Sequence, residues 1–192
     1  MSARVVVLAS GAGTLFEALL DSGLASNVVG LVTDQPGVRA VEVAKSRGIP
    51  VRKIPMIEFD SRDLWQSELL KQVKELDPDL VVAAGFMRIL SPEFVNVFPE
   101  QIVNSHPSLL PQFPGAHAVR DAIEAGVPVT GCTVHFIDEG VDTGKIIAQQ
   151  RVEVLPGESE AALHERIKSV ERILLPQTVE RLLIERFGEG FK

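Results

Sequence analysis

An α/β fold is predicted for this 192-residue chain: a parallel sheet flanked by helices, with antiparallel strands added at the C-terminal half. Three observations predict it. Short apolar runs alternate with stretches of helical periodicity through the first half of the chain, the pattern of strand–helix–strand units whose strands are covered on both faces. A glycine-rich turn, Ser10-Gly11-Ala12-Gly13-Thr14, follows the first apolar run directly. Beyond Asn104 the pattern changes. Pro107, Pro111 and Pro114 impose an irregular loop, and two long strand-like runs then follow, joined by a short acidic loop, as antiparallel neighbours would be. The arrangement is Rossmann-like, and the length suits one domain over residues 1–192.

The elements follow in order. Residues 5–9 read as a buried strand, and Leu15, Ala18, Leu19 and Leu24 give the helix after the glycine turn. A second strand at residues 28–32 precedes a loop at 34–37, a helical stretch at 38–46 and a short strand at 51–54. A helix is expected over residues 60–76, with Leu64, Leu69 and Val73 inward, and Asp77-Pro78-Asp79 stops it before the strand at 80–84. A strand at residues 101–105 leads into the proline loop, with a short helix at 118–125. Strands at 130–137 and 146–154 follow, then a helix over 159–186 with Leu163, Ile167, Val170 and Leu174 at helical spacing. Pro176 is expected to kink or interrupt that helix, and residues 188–192 to form a loose tail.

Composition bounds the function. Hydrophobic residues make up 45% and charged residues 23%, an ordinary globular balance. A net charge of −7 argues against a nucleic-acid binder, although backbone amides can still hold a small phosphate compound. Cys132 is the only cysteine, which excludes disulfide frameworks and thiolate metal clusters, and it reads as a small filler within a strand. The opening apolar run is too short for a leader or a membrane span, so a cytoplasmic enzyme with no membrane contact is expected.

Open parallel sheets bind ligands beyond the carboxyl ends of their strands. The glycine turn, the segment Gly85-Phe86-Met87-Arg88 and His106 each follow such an end. Residues two apart on a strand share a face, so Asn104 and His106 aim an amide and an imidazole into one space. With a carboxylate such as Asp142 beside them, they suit acyl-type transfer, in which an oxyanion is held and a proton moved. The glycine turn alone is as consistent with a tight turn as with a phosphate cradle, since it lacks both a third glycine and a P-loop lysine. His117 and His164 read as ordinary helix-associated residues and His135 as a strand residue. The four histidines lack metal-ligand spacing, so no metal is expected.

Three separated motifs carry a resemblance. The stretch Val81-Val82-Ala83-Ala84-Gly85-Phe86-Met87-Arg88-Ile89-Leu90, the stretch Asn104-Ser105-His106-Pro107-Ser108-Leu109-Leu110-Pro111, and Val134-His135-Phe136 leading to Asp142 resemble, in that order and spacing, the folate-dependent formyltransferases. The likeness runs from about Arg4 to about Leu183. It implies formyl transfer from 10-formyltetrahydrofolate, the co-substrate, to the amine of 5-phosphoribosyl-glycinamide (glycinamide ribonucleotide), with Asn104, His106 and Asp142 catalytic and no covalent intermediate. It implies that Gly13, Thr14 and Leu15 hold the substrate phosphate and Glu171 the ribose hydroxyls. Many family members have asparagine where this chain has Leu15, so only a backbone contact survives there. Met87, Arg88, Ile89 and Leu90, with the backbone of Asp138, Glu139, Gly140 and Val141, would line the pteridine pocket. Arg62 and Arg88 would steer the anionic tail of the folate, and His135 would have a supporting role. Family members often pair, so a homodimer is open.

On this reading a protonated His106 and the Asn104 amide donate to the oxyanion, and Asp142 favours the imidazolium and relays the proton through a water. Three other readings stay open. Methionyl-tRNA formyltransferase needs an added basic domain, formyltetrahydrofolate hydrolase usually carries an N-terminal regulatory domain, and a nucleotide-binding module would give the three side chains no shared role.

Overall fold

The computed structural model describes residues 2–188 and 190, so residues 189, 191 and 192 of the expected tail lie outside the described residues. Its strands are β1 (Val5–Leu8), β2 (Val28–Thr33), β3 (Val51–Lys53), β4 (Leu80–Ala83), β5 (Ile102–His106), β6 (Val129–Phe136) and β7 (Ile146–Glu153). They form one seven-stranded sheet in the order β3-β2-β1-β4-β5-β6-β7. The first five run parallel, whereas β6 is antiparallel to β5 and β7 to β6, as the change of pattern after Asn104 predicts. β5 reaches one residue further than expected: His106 ends the strand rather than following it.

The helices are α1 (Thr14–Leu19), α2 (Arg39–Ser46), α3 (Arg62–Lys74), α4 (Pro92–Val97), α5 (Ala118–Glu124) and α6 (Glu160–Phe187). Strand alternation sorts the core into two layers. Val5, Val7 and Val82 pack with Phe16, Leu19, Leu175 and Val179 on the face covered by α1, α2 and α6. Val6, Leu8, Val81 and Ile102 pack with Trp65, Leu69 and Phe94 on the face covered by α3 and α4. Each fully buried side chain of this size contributes about 1.5–3 kcal/mol. A third cluster of Val119, Cys132, Val152, Leu163 and Ile167 seals the antiparallel half. Burial there pushes the Cys132 thiol up to about 12, consistent with an inert filler.

Two expectations are corrected and one helix is added. Leu64 is 55% exposed, while Trp65 and Gln66 are buried with Leu69 and Val73. Trp65 lies four residues before Leu69, and Gln66 three, so the inward stripe passes beside Leu64 and not through it. Ser61 caps this helix by accepting from the Leu64 amide at 3.2 Å, which places Leu64 on the opening turn. Helix α4 was not anticipated, although its signature is plain: Ser91 accepts from the Phe94 amide at 3.2 Å and Pro92 occupies the first turn. Pro176 does not interrupt α6, which runs continuously past it. Leu175, Val179 and Leu183 are fully enclosed around that turn, and their burial outweighs the missing amide donor.

Phe94 fixes α4 against the sheet and packs on Phe98 with ring centroids 5.4 Å apart. Phe94→Ala should therefore lower stability by about 3–5 kcal/mol, read from urea denaturation followed by the fluorescence of Trp65, the only tryptophan.

Candidate active site

β5 distributes the site by alternation. Asn104 and His106 share one face, opposite His135 and Thr133 of β6 respectively, and Ser105 points to the other face, toward α6. On the first face the acidic loop folds back over the strand. Asp142 Oδ2 lies 3.3 Å from His106 Nδ1, and Oδ1 lies 3.5 Å from His135 Nε2. The Gly115 amide donates to Asp142 Oδ2 at 2.8 Å. The carboxylate thus reaches both rings directly, without a bridging water. Asp142 takes a left-handed backbone conformation (φ 56°), which aspartate tolerates better than most residues.

Burial pushes the Asp142 carboxyl up, but hydrogen bonding to His135 and the Gly115 amide, with the nearby His106, holds it below the usual carboxylate range. His106 is 4% exposed, and its Nε2 lies 2.8 Å from the Phe113 carbonyl. Both ring nitrogens therefore face oxygen acceptors, an arrangement satisfied by the doubly protonated ring. His135 Nδ1 faces the Phe136 carbonyl at 2.9 Å and its Nε2 faces the Asn104 amide nitrogen at 3.2 Å. One nitrogen cannot serve both neighbours at once. In the neutral ring Nε2 accepts from Asn104; in the charged ring it donates to Asp142. In the neutral state the Asn104 amide keeps its second hydrogen for another acceptor.

The proline loop closes over this group and is pinned from below. The buried Thr133 hydroxyl donates to the Ser108 carbonyl at 2.7 Å and accepts from the Leu110 amide at 3.0 Å. Gln149 on β7 donates to the Leu110 carbonyl at 2.9 Å. None of Thr133, Gln149, Phe113 or Gly115 stood out in the sequence. Their contributions run through backbone groups or cross-strand register, which residue type does not announce.

On the opposite face the Ser105 hydroxyl donates to Glu171 Oε1 at 2.7 Å. Burial raises the Glu171 carboxyl above its usual range, against the lowering effects of that bond and of Lys168 and Arg172. Although it belongs to a long surface helix, Glu171 is enclosed, at 4% exposure.

The segment after β4 is tied on three sides. Ser10 donates its amide to the Gly85 carbonyl at 3.1 Å, and its hydroxyl accepts from the Met87 amide at 3.0 Å. Arg88 Nε donates at 2.7 Å to Asp34, whose side chain is only 1% exposed. Gln66 and Arg62 donate to the Ile89 carbonyl at 2.7 and 3.2 Å. Within this frame Met87 and Ile89 remain 77% and 57% exposed, as Val141 does at 49%, while Leu90 is buried. Asp138 accepts from the Gly140 amide and the Thr143 hydroxyl, and Glu139 accepts from Asn96 of α4, so this loop is braced internally and externally. Exposed apolar side chains on a braced frame suit a flat conjugated ring with polar edges.

The structure thus brings Asn104, His106, Asp142 and His135 into one group, and places Ser105 and Glu171 immediately behind it. Gly13, Thr14 and Leu15 open α1 beyond β1, with Gly13 left-handed at φ 71°. Among the described residues no group of three or more His, Cys, Asp and Glu side chains could hold a metal ion, and no helix is long and apolar enough to cross a membrane.

Comparison with known proteins gives consistent findings. The family model described as formyl transferase matches residues 3–179. A Mycobacterium tuberculosis protein named phosphoribosylglycinamide formyltransferase is 48% identical over 94% of this chain and 85% of its own length. The Escherichia coli protein of that name is 36% identical over 97% of this chain and 88% of its own length. The crystal structure of phosphoribosylglycinamide formyltransferase from Bacillus halodurans superposes with a TM-score of 0.90 at 41% identity, covering 98% of this chain and 100% of that one.

The raised Glu171 carboxyl has a thermodynamic sign. The folded state binds its proton more tightly than the unfolded state, so stability falls as pH rises from the ordinary carboxylate value through the folded one. Glu171→Gln removes that term. Its melting temperature should exceed that of the parent at neutral pH and converge with it near pH 4, as thermal melts across that range would show.

Proposed function

The chain belongs to the formyl transferase family, and from that premise we propose that it transfers a formyl group from 10-formyltetrahydrofolate to the amine of glycinamide ribonucleotide in purine biosynthesis. The convergence of Asn104, His106 and Asp142 within hydrogen-bonding range of one another, directly or through His135, is the observation that carries this reading. The similarly sized relatives share the name of that activity over nearly the whole chain.

The co-substrate supplies a formyl group already bound to a nitrogen that can depart. The chain's residues supply orientation, charge and a proton path. The exposed side chains of Met87 and Ile89, with the exposed Val141 and the braced backbone of 138–141, take the pteridine ring on this reading. Arg62 and Arg88 border it, although their bonds to the Ile89 carbonyl and to Asp34 make them framework as well as charge. The backbone of Gly13, Thr14 and Leu15 takes the phosphate, and Glu171, oriented by Ser105, takes the ribose hydroxyls.

The attacking amine must be neutral, and with a pKa of about 8 for an α-amino group a useful fraction is so at physiological pH. As the formyl carbon becomes four-bonded, its oxygen gains charge. His106 donates to that oxygen from Nε2, which exchanges the Phe113 carbonyl for the substrate, and Asn104 donates its remaining amide hydrogen beside it. Asp142, held ionised by its surroundings, orients His106 through its 3.3 Å contact with Nδ1 and accepts the amine proton on its way to the departing nitrogen. Such donors act strongly because they are already oriented before the charge develops. His106→Ala and Asp142→Asn should each lower turnover about a hundredfold or more with circular dichroism unchanged; a well-folded His106→Ala protein at parental rate would remove the imidazole from the chemistry.

Mixing the protein with formyl-folate, with and without glycinamide ribonucleotide, tests the reading as a whole. We expect deformylation only when the ribonucleotide is present. Deformylation without it would indicate a hydrolase, and silence in both would indicate a binding protein.

A further inference from the structure

We propose that Arg39 is a positioning residue for the substrate phosphate: braced by Glu17, its guanidinium holds the Ala12 carbonyl and so turns the Gly13 amide toward the anion. The inference rests on the phosphate-loop reading above and assigns a role to a residue of a different element. Arg39 opens α2, and its Nη1 donates to the Ala12 carbonyl at 3.1 Å while its Nη2 meets Glu17 of α1 at 2.6 Å. The next residue, Ala40, donates its backbone amide to the Gly11 carbonyl at 3.3 Å. Two successive carbonyls of the glycine turn are thus drawn toward the start of α2.

Peptide geometry makes the rest follow. In a trans peptide the C=O and N–H point to opposite sides. With the carbonyls of Gly11 and Ala12 facing α2, the amides of Ala12 and Gly13 face away from it, on the same side of the turn. Adjacent amides presented together form an anion-binding concavity. The closeness of α2 is independently visible at Gly13, where an added Cβ would meet Ala40 Cα and Cβ at 2.8 Å. Glycine is required there both by that approach and by its left-handed φ.

The turn has particular need of such a brace. It carries no lysine and Leu15 offers no polar side chain, so apart from the hydroxyls of Ser10 and Thr14 the backbone amides are the donors it offers. Because Glu17 neutralises Arg39, the effect of the arginine is geometric and not a matter of net attraction. Arg39 has a half-exposed side chain (48%), and removing it opens no hole in the core.

The test compares the parent with Arg39→Met and Arg39→Lys on glycinamide ribonucleotide and on the same compound lacking its phosphate. For Arg39→Met the KM for the ribonucleotide should rise about tenfold, as for loss of a hydrogen bond to a charged group. The KM for formyl-folate, kcat at saturation and the melting temperature should hold, and the phosphate-free compound should be turned over as by the parent. Arg39→Lys should recover part of the loss, since an ammonium reaches the carbonyl but lacks the planar fork that also meets Glu17. Equal losses on both compounds, or an unchanged ribonucleotide KM for Arg39→Met where the parent does formylate the ribonucleotide, overturn the role of Arg39 alone. A parent that shows no ribonucleotide-dependent transfer overturns the phosphate-loop reading first, and the role of Arg39 with it.

Discussion

The Asp142 carboxylate is the point on which the site depends. It is mostly buried, and a buried carboxylate is costly unless its oxygens are satisfied. Three groups from separate parts of the chain satisfy it: His106 at the end of β5, His135 on β6 and the Gly115 amide of the proline loop. Each brings its own segment into place. The requirement to satisfy one charge therefore fixes the position of an imidazole, the orientation of an amide and the closure of a loop. Asp142 itself sits in a backbone conformation that most residues avoid, and the surrounding bonds offset that cost.

Around this centre the fold works by tying loops to one another at the sheet's carboxyl end. Ser10 joins the glycine turn to the segment after β4, Asp34 joins that segment to the end of β2, and Gln66 joins it to α3. None of these bonds touches the reacting group. Together they hold a shelf of exposed apolar side chains that would otherwise have reason to collapse inward. The shelf is preorganised for the same reason the core is stable: its backbone polar groups have partners.

Much of this was legible from residue order. The alternation of apolar runs with helical periodicity identified the parallel half, and the change after Asn104 identified the antiparallel half, because strand burial and connection length are written into composition. The pairing of Asn104 with His106 followed from strand periodicity alone, and the structure adds His135 through cross-strand register, a relation no single strand contains. Leu64 misled because it is apolar while the inward stripe of α3 is set by Trp65, Leu69 and Val73. Helix α4 went unread because six residues give too few turns for periodicity, although Ser91-Pro92 marks its start. The enclosure of Glu171 and the pinning by Thr133 depend on what packs above them, which lies beyond local pattern.

The alternation along β5 carries a consequence for how such a chain can change. Asn104 and His106 belong to one side of a ribbon and Ser105 to the other, so the residue that meets Glu171 lies between the two that gather around Asp142. A one-residue slip would exchange the two sides wholesale, delivering the serine to the Asp142 side and the imidazole to the long terminal helix. Insertions and deletions are thus forbidden within this ribbon but tolerated in the loops beyond it. Descendants with new acceptors would be expected to differ in those loops and to keep the ribbon's length intact.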